Sequence, residues 1–145
     1  MKLILCLSLL TCLACWIEAR RYSQCELLKI FRKTRLDGYR GIGAATWICI
    51  AKHESNYRTN VVNNNGPSRD YGIFQINSRW WCNDGKTPKT ANGCKKSCSS
   101  FLNNDITDDI ECAKRVVRDP QGVNAWVVYR KYCKGKDLRK YVRGC

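Results

Sequence analysis

Acidic residues are scarce in this chain: 12 Asp and Glu stand against 26 Lys and Arg among 145 residues, a formal net charge of +14. Such a surface expects an anionic partner. The basic residues are scattered rather than gathered in one block, and no recognised nucleic-acid fold signature is present, so nucleic acid is not the expected partner. Histidine is almost missing. The single His53 adjoins Glu54 in sequence but falls on another helical face, and is read as a surface or packing residue. With no second histidine and no nucleophile motif, Ser/His and Cys/His hydrolase chemistry has no basis here. Beyond the first 19 residues no stretch is long and apolar enough for a membrane helix, which excludes stable membrane insertion of that kind. Internal repeats and low-complexity segments are also lacking.

What is present begins with MKLILCLSLLTCLACWIEA, which starts at Lys2, runs through an apolar core and ends in Ala19. That is the pattern of a secretory signal, too short to span a membrane comfortably. Cleavage after Ala19 leaves residues 20–145, a 126-residue single domain with room for a real core. The signal carries one Lys and one Glu, so the mature chain is still +14. Cysteine usage agrees with an extracellular destination. Of 11 cysteines, Cys6, Cys12 and Cys15 fall in the signal, and eight remain: Cys25, Cys49, Cys82, Cys94, Cys98, Cys112, Cys133 and Cys145. An even number in a secreted chain implies four disulfides, with 105 connectivities open to sequence alone. Cys94 and Cys98 have a tolerable zinc-ligand spacing, but the other cysteines are spread singly, which disfavours a zinc site.

Periodicity outlines an α+β domain. CELLKIFRKTRL is an amphipathic first helix ended by Asp37-Gly38, and GAATWICIAKHES is a second. NVVNNN and RDYGIFQI read as two strands joined by the turn Gly66-Pro67-Ser68. From Trp81 to Ser100 the chain lacks any sustained period and reads as an irregular loop held by disulfides. A third helix runs from about Asp108 to Asp119-Pro120, a fourth covers NAWVVYRKYC, and a short turn closes the chain.

Two carboxylates in this frame occupy neighbourhoods of opposite character. Trp47, Ala51 and Glu54 share one helical face that is otherwise apolar, and Glu54 lies near the negative end of its own helix. Both effects disfavour its charged form. Asp70 falls in the hairpin opposite a row of Asn side chains, and amide donors from Asn63, Asn65 or Asn77 are expected to favour its ionised form. An acid and a carboxylate with pKa values pushed apart are what glycoside hydrolysis needs: one protonates the leaving oxygen, the other answers the oxocarbenium-like charge.

The segments AKHESNY, NNNGPSRDYGIFQINSRWWCNDGKTP, CAK, NAWV and the terminal RGC together resemble C-type lysozyme over essentially the whole mature chain. That family is itself a worked example of two carboxylates tuned apart, so the roles come from the resemblance. It implies Glu54 as general acid and Asp70 as nucleophile or electrostatic stabiliser. It implies substrate positions at Asn63, Asn65, Gln75, Asn77, Trp80, Trp81, Asp119, Ala125 and Trp126, with Trp126 as the apolar wall against Glu54. Aromatic faces suit the C–H faces of pyranose rings, and amides fix sugar hydroxyls. The hairpin turn is shorter than in some members of the family.

The resemblance further implies the pairing Cys25 with Cys145, Cys49 with Cys133, Cys82 with Cys98 and Cys94 with Cys112. The implied activity is that of a secreted, monomeric, antibacterial lysozyme that hydrolyses the β-1,4 bond between N-acetylmuramic acid and N-acetylglucosamine in bacterial peptidoglycan with retention, needing no cofactor. The anionic bacterial surface is the expected partner of the positive charge. The alternative is a non-catalytic cationic wall-binding member of the same fold. SSFLNNDITDDIEC also clusters hard oxygen ligands that suit structural Ca²⁺. Resemblance to calcium-binding lysozymes and α-lactalbumin places ligands at Ser100 and Asp105 (carbonyls) and at Asn103, Asp108 and Asp109 (side chains), Asn103 standing where Asp is usual. The competing reading is an acidic N-terminus on the third helix, with Asp105 as its cap.

Overall fold

The computed structural model describes residues 20–145; the expected secretion signal, residues 1–19, lies outside the described residues. Helix α1 (Gln24–Lys33) is capped by Ser23, whose Oγ accepts from the Glu26 amide at 3.1 Å, and it buries Leu27, Leu28 and Phe31. It stops short of the expected Asp37-Gly38, because Arg35 takes a left-handed φ of 60°. Asp37 has another use: its Oδ1 accepts from the Ala44 amide at 2.8 Å, at the start of α2 (Ala44–Ser55).

Helix α2 is the centre of the molecule. Trp47, Ile48, Cys49, Ile50 and Ala51 are all fully buried, so its middle is covered on every side rather than on one stripe. Phe31, Phe74 and Trp126 gather around it, with Trp47 meeting Phe74 at 5.5 Å and Trp126 at 5.3 Å, edge to face in both cases. Its fully exposed residues, Lys52 and His53, lie in the last turn, and Asn56 ends the helix at φ 52°.

The sheet has three antiparallel strands where the sequence pattern gave two. β1 (Val62–Asn65) pairs with β2 (Ser68–Tyr71) through a tight turn at Gly66-Pro67, Gly66 supplying φ 63°, and Ser68 is the first residue of β2 rather than part of the turn. The run RDYGIFQI does not stay extended. It turns at Gly72 (φ 79°) and Gln75 (φ 51°) before β3 (Ile76–Asn77) pairs back on β2. Ile73 and Phe74 in that turn are fully buried, so an apolar run that mimics a strand is a turn driven into the core.

After the irregular loop, a 3-10 turn at Cys98–Phe101 leads to α3 (Thr107–Val117), which stops two residues short of Asp119. The expected fourth helix is broken into a 3-10 turn at Gly122–Ala125 and a π-helical turn at Tyr129–Cys133, and a 3-10 turn at Arg139–Tyr141 precedes the C-terminus. Trp126 between the two pieces is extended (ψ 114°), which is where the helix breaks. The disulfides are Cys25–Cys145, Cys49–Cys133, Cys82–Cys98 and Cys94–Cys112. Cys94 and Cys98 therefore belong to different bridges, which leaves neither to bind zinc.

Candidate active site

A cleft of about 960 Å³ separates the sheet and its following loop from the helical segments. Its floor is set by two side-chain contacts between α2, the β2–β3 turn and the Gly122–Ala125 region. Ser55 Oγ donates to Ile73 O at 2.8 Å, and Trp126 Nε1 donates to Phe74 O at 2.9 Å. Glu54, one residue before Ser55, is thereby held facing the sheet.

Glu54 and Asp70 both line this cleft and both are half-buried. Burial pushes Glu54 up to about 8, with the nearby Asp70 charge adding to the rise. Asp70 departs from the expectation. Burial raises its pKa as well, and the amides of Asn77 and Asn65 only pull it part of the way back. The Asn77 hydrogen bond is direct, Nδ2 to Asp70 Oδ1 at 2.8 Å, across the β2–β3 register. The separation between the two carboxyls survives because Glu54 lacks such donors and Asp70 has them.

Of the nine positions expected to bind substrate, Asn65, Gln75, Asn77, Trp80, Trp81, Asp119, Ala125 and Trp126 line the cleft with the two carboxyls. Asn63 does not. It sits on β1 opposite Asp70, but its Nδ2 donates to Gln75 Oε1 at 2.9 Å. Gln75 in turn donates to Val61 O and Gly72 O, both at 3.0 Å, so it clamps the turn as well as lining the cleft. Trp80 is 55% exposed and offers an open aromatic face, whereas Trp81 is half-buried. Trp126 is 5% exposed and supplies apolar surface beside Glu54.

Two arginines complete the cleft that sequence reasoning passed over. Arg79 lies over the Trp80 ring at 4.8 Å, and Arg115 over the Trp81 ring at 5.5 Å. Arg115 also binds Asp119 at 2.7 Å. The i, i+4 spacing of Arg115 and Asp119 on a helix was a signal available in the sequence.

The acidic cluster leads into α3, whose N-cap is Ile106 and not the expected Asp105, with Asp108 and Asp109 in the first turn. Asp105 Oδ1 accepts from Thr107 N at 2.9 Å and from Thr107 Oγ1 at 2.6 Å, and Asp108 is paired with Lys96 at 2.9 Å. Asp109 is fully buried and neither carboxyl oxygen has a hydrogen-bond partner; burial raises its pKa well above the carboxylate range. Among the described residues, no three His, Cys, Asp or Glu side chains converge as a metal-ligand group. Asp109 fits a cation, and Asp108 as paired does not. His53 stacks on Tyr132 at 4.2 Å and is a packing residue.

Residues 20–145 match the family model described as C-type lysozyme/alpha-lactalbumin family. Among curated relatives, Lysozyme C-2 of Sus scrofa is 54% identical over 145 residues, covering 100% of this chain and 99% of its own. Lysozyme C, milk isozyme, of Bos taurus is 54% identical over 147 residues with the same coverage. Lysozyme C of Pelodiscus sinensis is 56% identical over 126 residues, covering 86% of this chain and 96% of its own. With the two carboxyls, the tryptophan shelf and the four disulfides assembled as described, the chain belongs to the C-type lysozyme/alpha-lactalbumin family.

Proposed function

We infer that this protein is a glycoside hydrolase, a lysozyme, that cleaves the β-1,4 bond between N-acetylmuramic acid and N-acetylglucosamine in bacterial peptidoglycan with retention of configuration. The observation that carries the reading is a carboxyl held protonated to about pH 8 in one cleft with a second carboxyl that has amide donors. Glu54 protonates the bridging oxygen and then activates water, while Asp70 answers or traps the positive glycosyl centre. Asn77 holds Asp70 by one oxygen. Trp80 stacks on sugar, Trp81, Asn65, Gln75, Asp119, Ala125 and Trp126 line the glycan path, and Asn63 acts through Gln75. No cofactor takes part.

The test is reducing-end release from cell walls by the mature protein beside Glu54→Gln. We expect the variant to bind walls and lose at least about 99% of turnover, as removal of a general acid does. Normal activity in the variant would sink the assignment, and wall binding without turnover by the parent would make the protein a cationic binding member of the fold. Residues 1–19 act as a secretory signal, residues 20–145 act alone as a monomer outside the cell, and the +14 charge draws the enzyme to the anionic bacterial surface. Four disulfides support that oxidising destination.

Calcium in this reading is a structural ion. The buried, unpartnered Asp109 carboxylate favours it, with Asn103 and the Ser100 and Asp105 carbonyls as further oxygens, and Lys96 competes for Asp108. Calcium should raise the melting temperature of the parent and leave Asp109→Asn unmoved, whereas a parent whose melting is the same in Ca²⁺ and in chelator excludes the site.

A further inference from the structure

Beside the cleft lies a second hollow of about 340 Å³, outside the catalytic site. The two meet at Gly93 and Arg115, which line both. At this divide the Trp81 indole packs directly on Gly93: a Cβ there would come within 2.8 Å of the ring, so the position holds no side chain. The Cys94–Cys112 disulfide borders the hollow.

Its charge is cationic after internal pairing. Asp108 is taken by Lys96 at 2.9 Å, and Glu111 by Lys114 at 3.2 Å. Arg115 is taken by Asp119. Lys95 and Arg118 are exposed and have no acidic partner among the described residues; Arg118 donates to the Tyr39 hydroxyl, at 3.3 Å. Two free cations therefore stand over a recess that opens sideways from a glycan-binding cleft. A linear sugar chain has no group to place there. A branch carrying carboxylates does.

We propose that this hollow is a branch site that binds the carboxylates of the acidic peptide attached to the lactyl group of N-acetylmuramic acid, with Lys95 and Arg118 as the recognising cations. The glycan lies in the cleft and the peptide crosses at Arg115, which lines both hollows. The inference rests on the lysozyme reading and adds to it a reason for preferring peptide-bearing substrate over bare polymer.

The test is calorimetric titration of the mature protein with three soluble glycan fragments of equal length: bare, peptide-bearing, and peptide-bearing with its carboxylates amidated. Lys95→Gln/Arg118→Gln is titrated in parallel. Exposed charge pairs of this kind support a preference of roughly three- to tenfold for the peptide-bearing fragment. We expect the parent to show it, and amidation or the double substitution to remove it while affinity for the bare fragment is unchanged. A parent without the preference, or a double variant that keeps it, overturns the branch site. A preference that survives amidation does so too, because the contact is then not to carboxylates. Reducing-end release is scored separately: a parent that prefers the peptide-bearing fragment but releases no ends sinks the lysozyme reading and leaves the branch site standing.

Discussion

Glu54 owes its behaviour to where its helix ends. The side chain leaves α2 one residue before its terminus, faces a cleft floored by Trp126, and finds no cation or amide to favour its charge. The sign of the consequence for stability follows directly. A carboxyl whose pKa rises from 4.5 to about 8 on folding contributes stability that is present in full below pH 4.5 and is lost as pH rises through about 8. Glu54→Gln cannot ionise and escapes that loss. Its melting temperature relative to the parent should therefore climb between pH 5 and pH 9, and a difference that stays level across that range would put the Glu54 carboxyl in water. The pairing of Glu54 with Asp70 was legible from residue type and helical face. The rise of Asp70 was not, because the Asn row announces donors while nothing in the local pattern announces how far burial outweighs them.

At the scale of elements, the β2–β3 turn does most to place the site. It buries Ile73 and Phe74, receives Ser55 and Trp126 through its carbonyls, and returns the chain so that Asn77 meets Asp70. Gly72 makes it fit. A Cβ there would collide with the Phe101 carbonyl oxygen and stand 2.7 Å from Asp109 Oδ2, at a φ of 79°. Gly72→Ala should cost upwards of about 3 kcal/mol in denaturant unfolding, from backbone strain and overpacking together. Gly85 has a similar φ of 71° with open space around it, so Gly85→Ala should cost only about 1 kcal/mol. Equal losses at the two positions would show that φ alone matters. The sequence pattern marked α1, α2, α3 and the first hairpin, whose period or turn chemistry is local. It missed this turn because six residues of mostly apolar chain look alike whether extended or folded into a core, and it joined two short helical pieces whose break depends on Trp126 packing against Trp47.

For the whole molecule, the bridge between Cys25 and Cys145 spans 120 residues and ties the start of α1 to the C-terminus, far in sequence from Glu54 and Asp70. Replacing both cysteines by Ala should lower stability by about 2–5 kcal/mol by freeing the unfolded chain, with kcat at 25 °C unchanged. Lost activity at a temperature where the variant is still folded would mean that the chain ends help to shape the cleft.

Composition and motif alone determined the chemistry available: a cationic, disulfide-bonded chain with one carboxyl on an apolar helical face and another among amides, in segments that identify the family. These are properties of residue type and short spacing, which need no fold to be read. The tertiary structure decided everything that depends on burial or on distant partners. It closed the four disulfides that the family resemblance implied, raised Asp70 along with Glu54 by withdrawing water, turned Asn63 onto Gln75, gave Asp108 to Lys96, and set a cationic hollow beside the cleft. Desolvation and long-range contact arise only when segments far apart in the chain are brought together, and no local pattern encodes them.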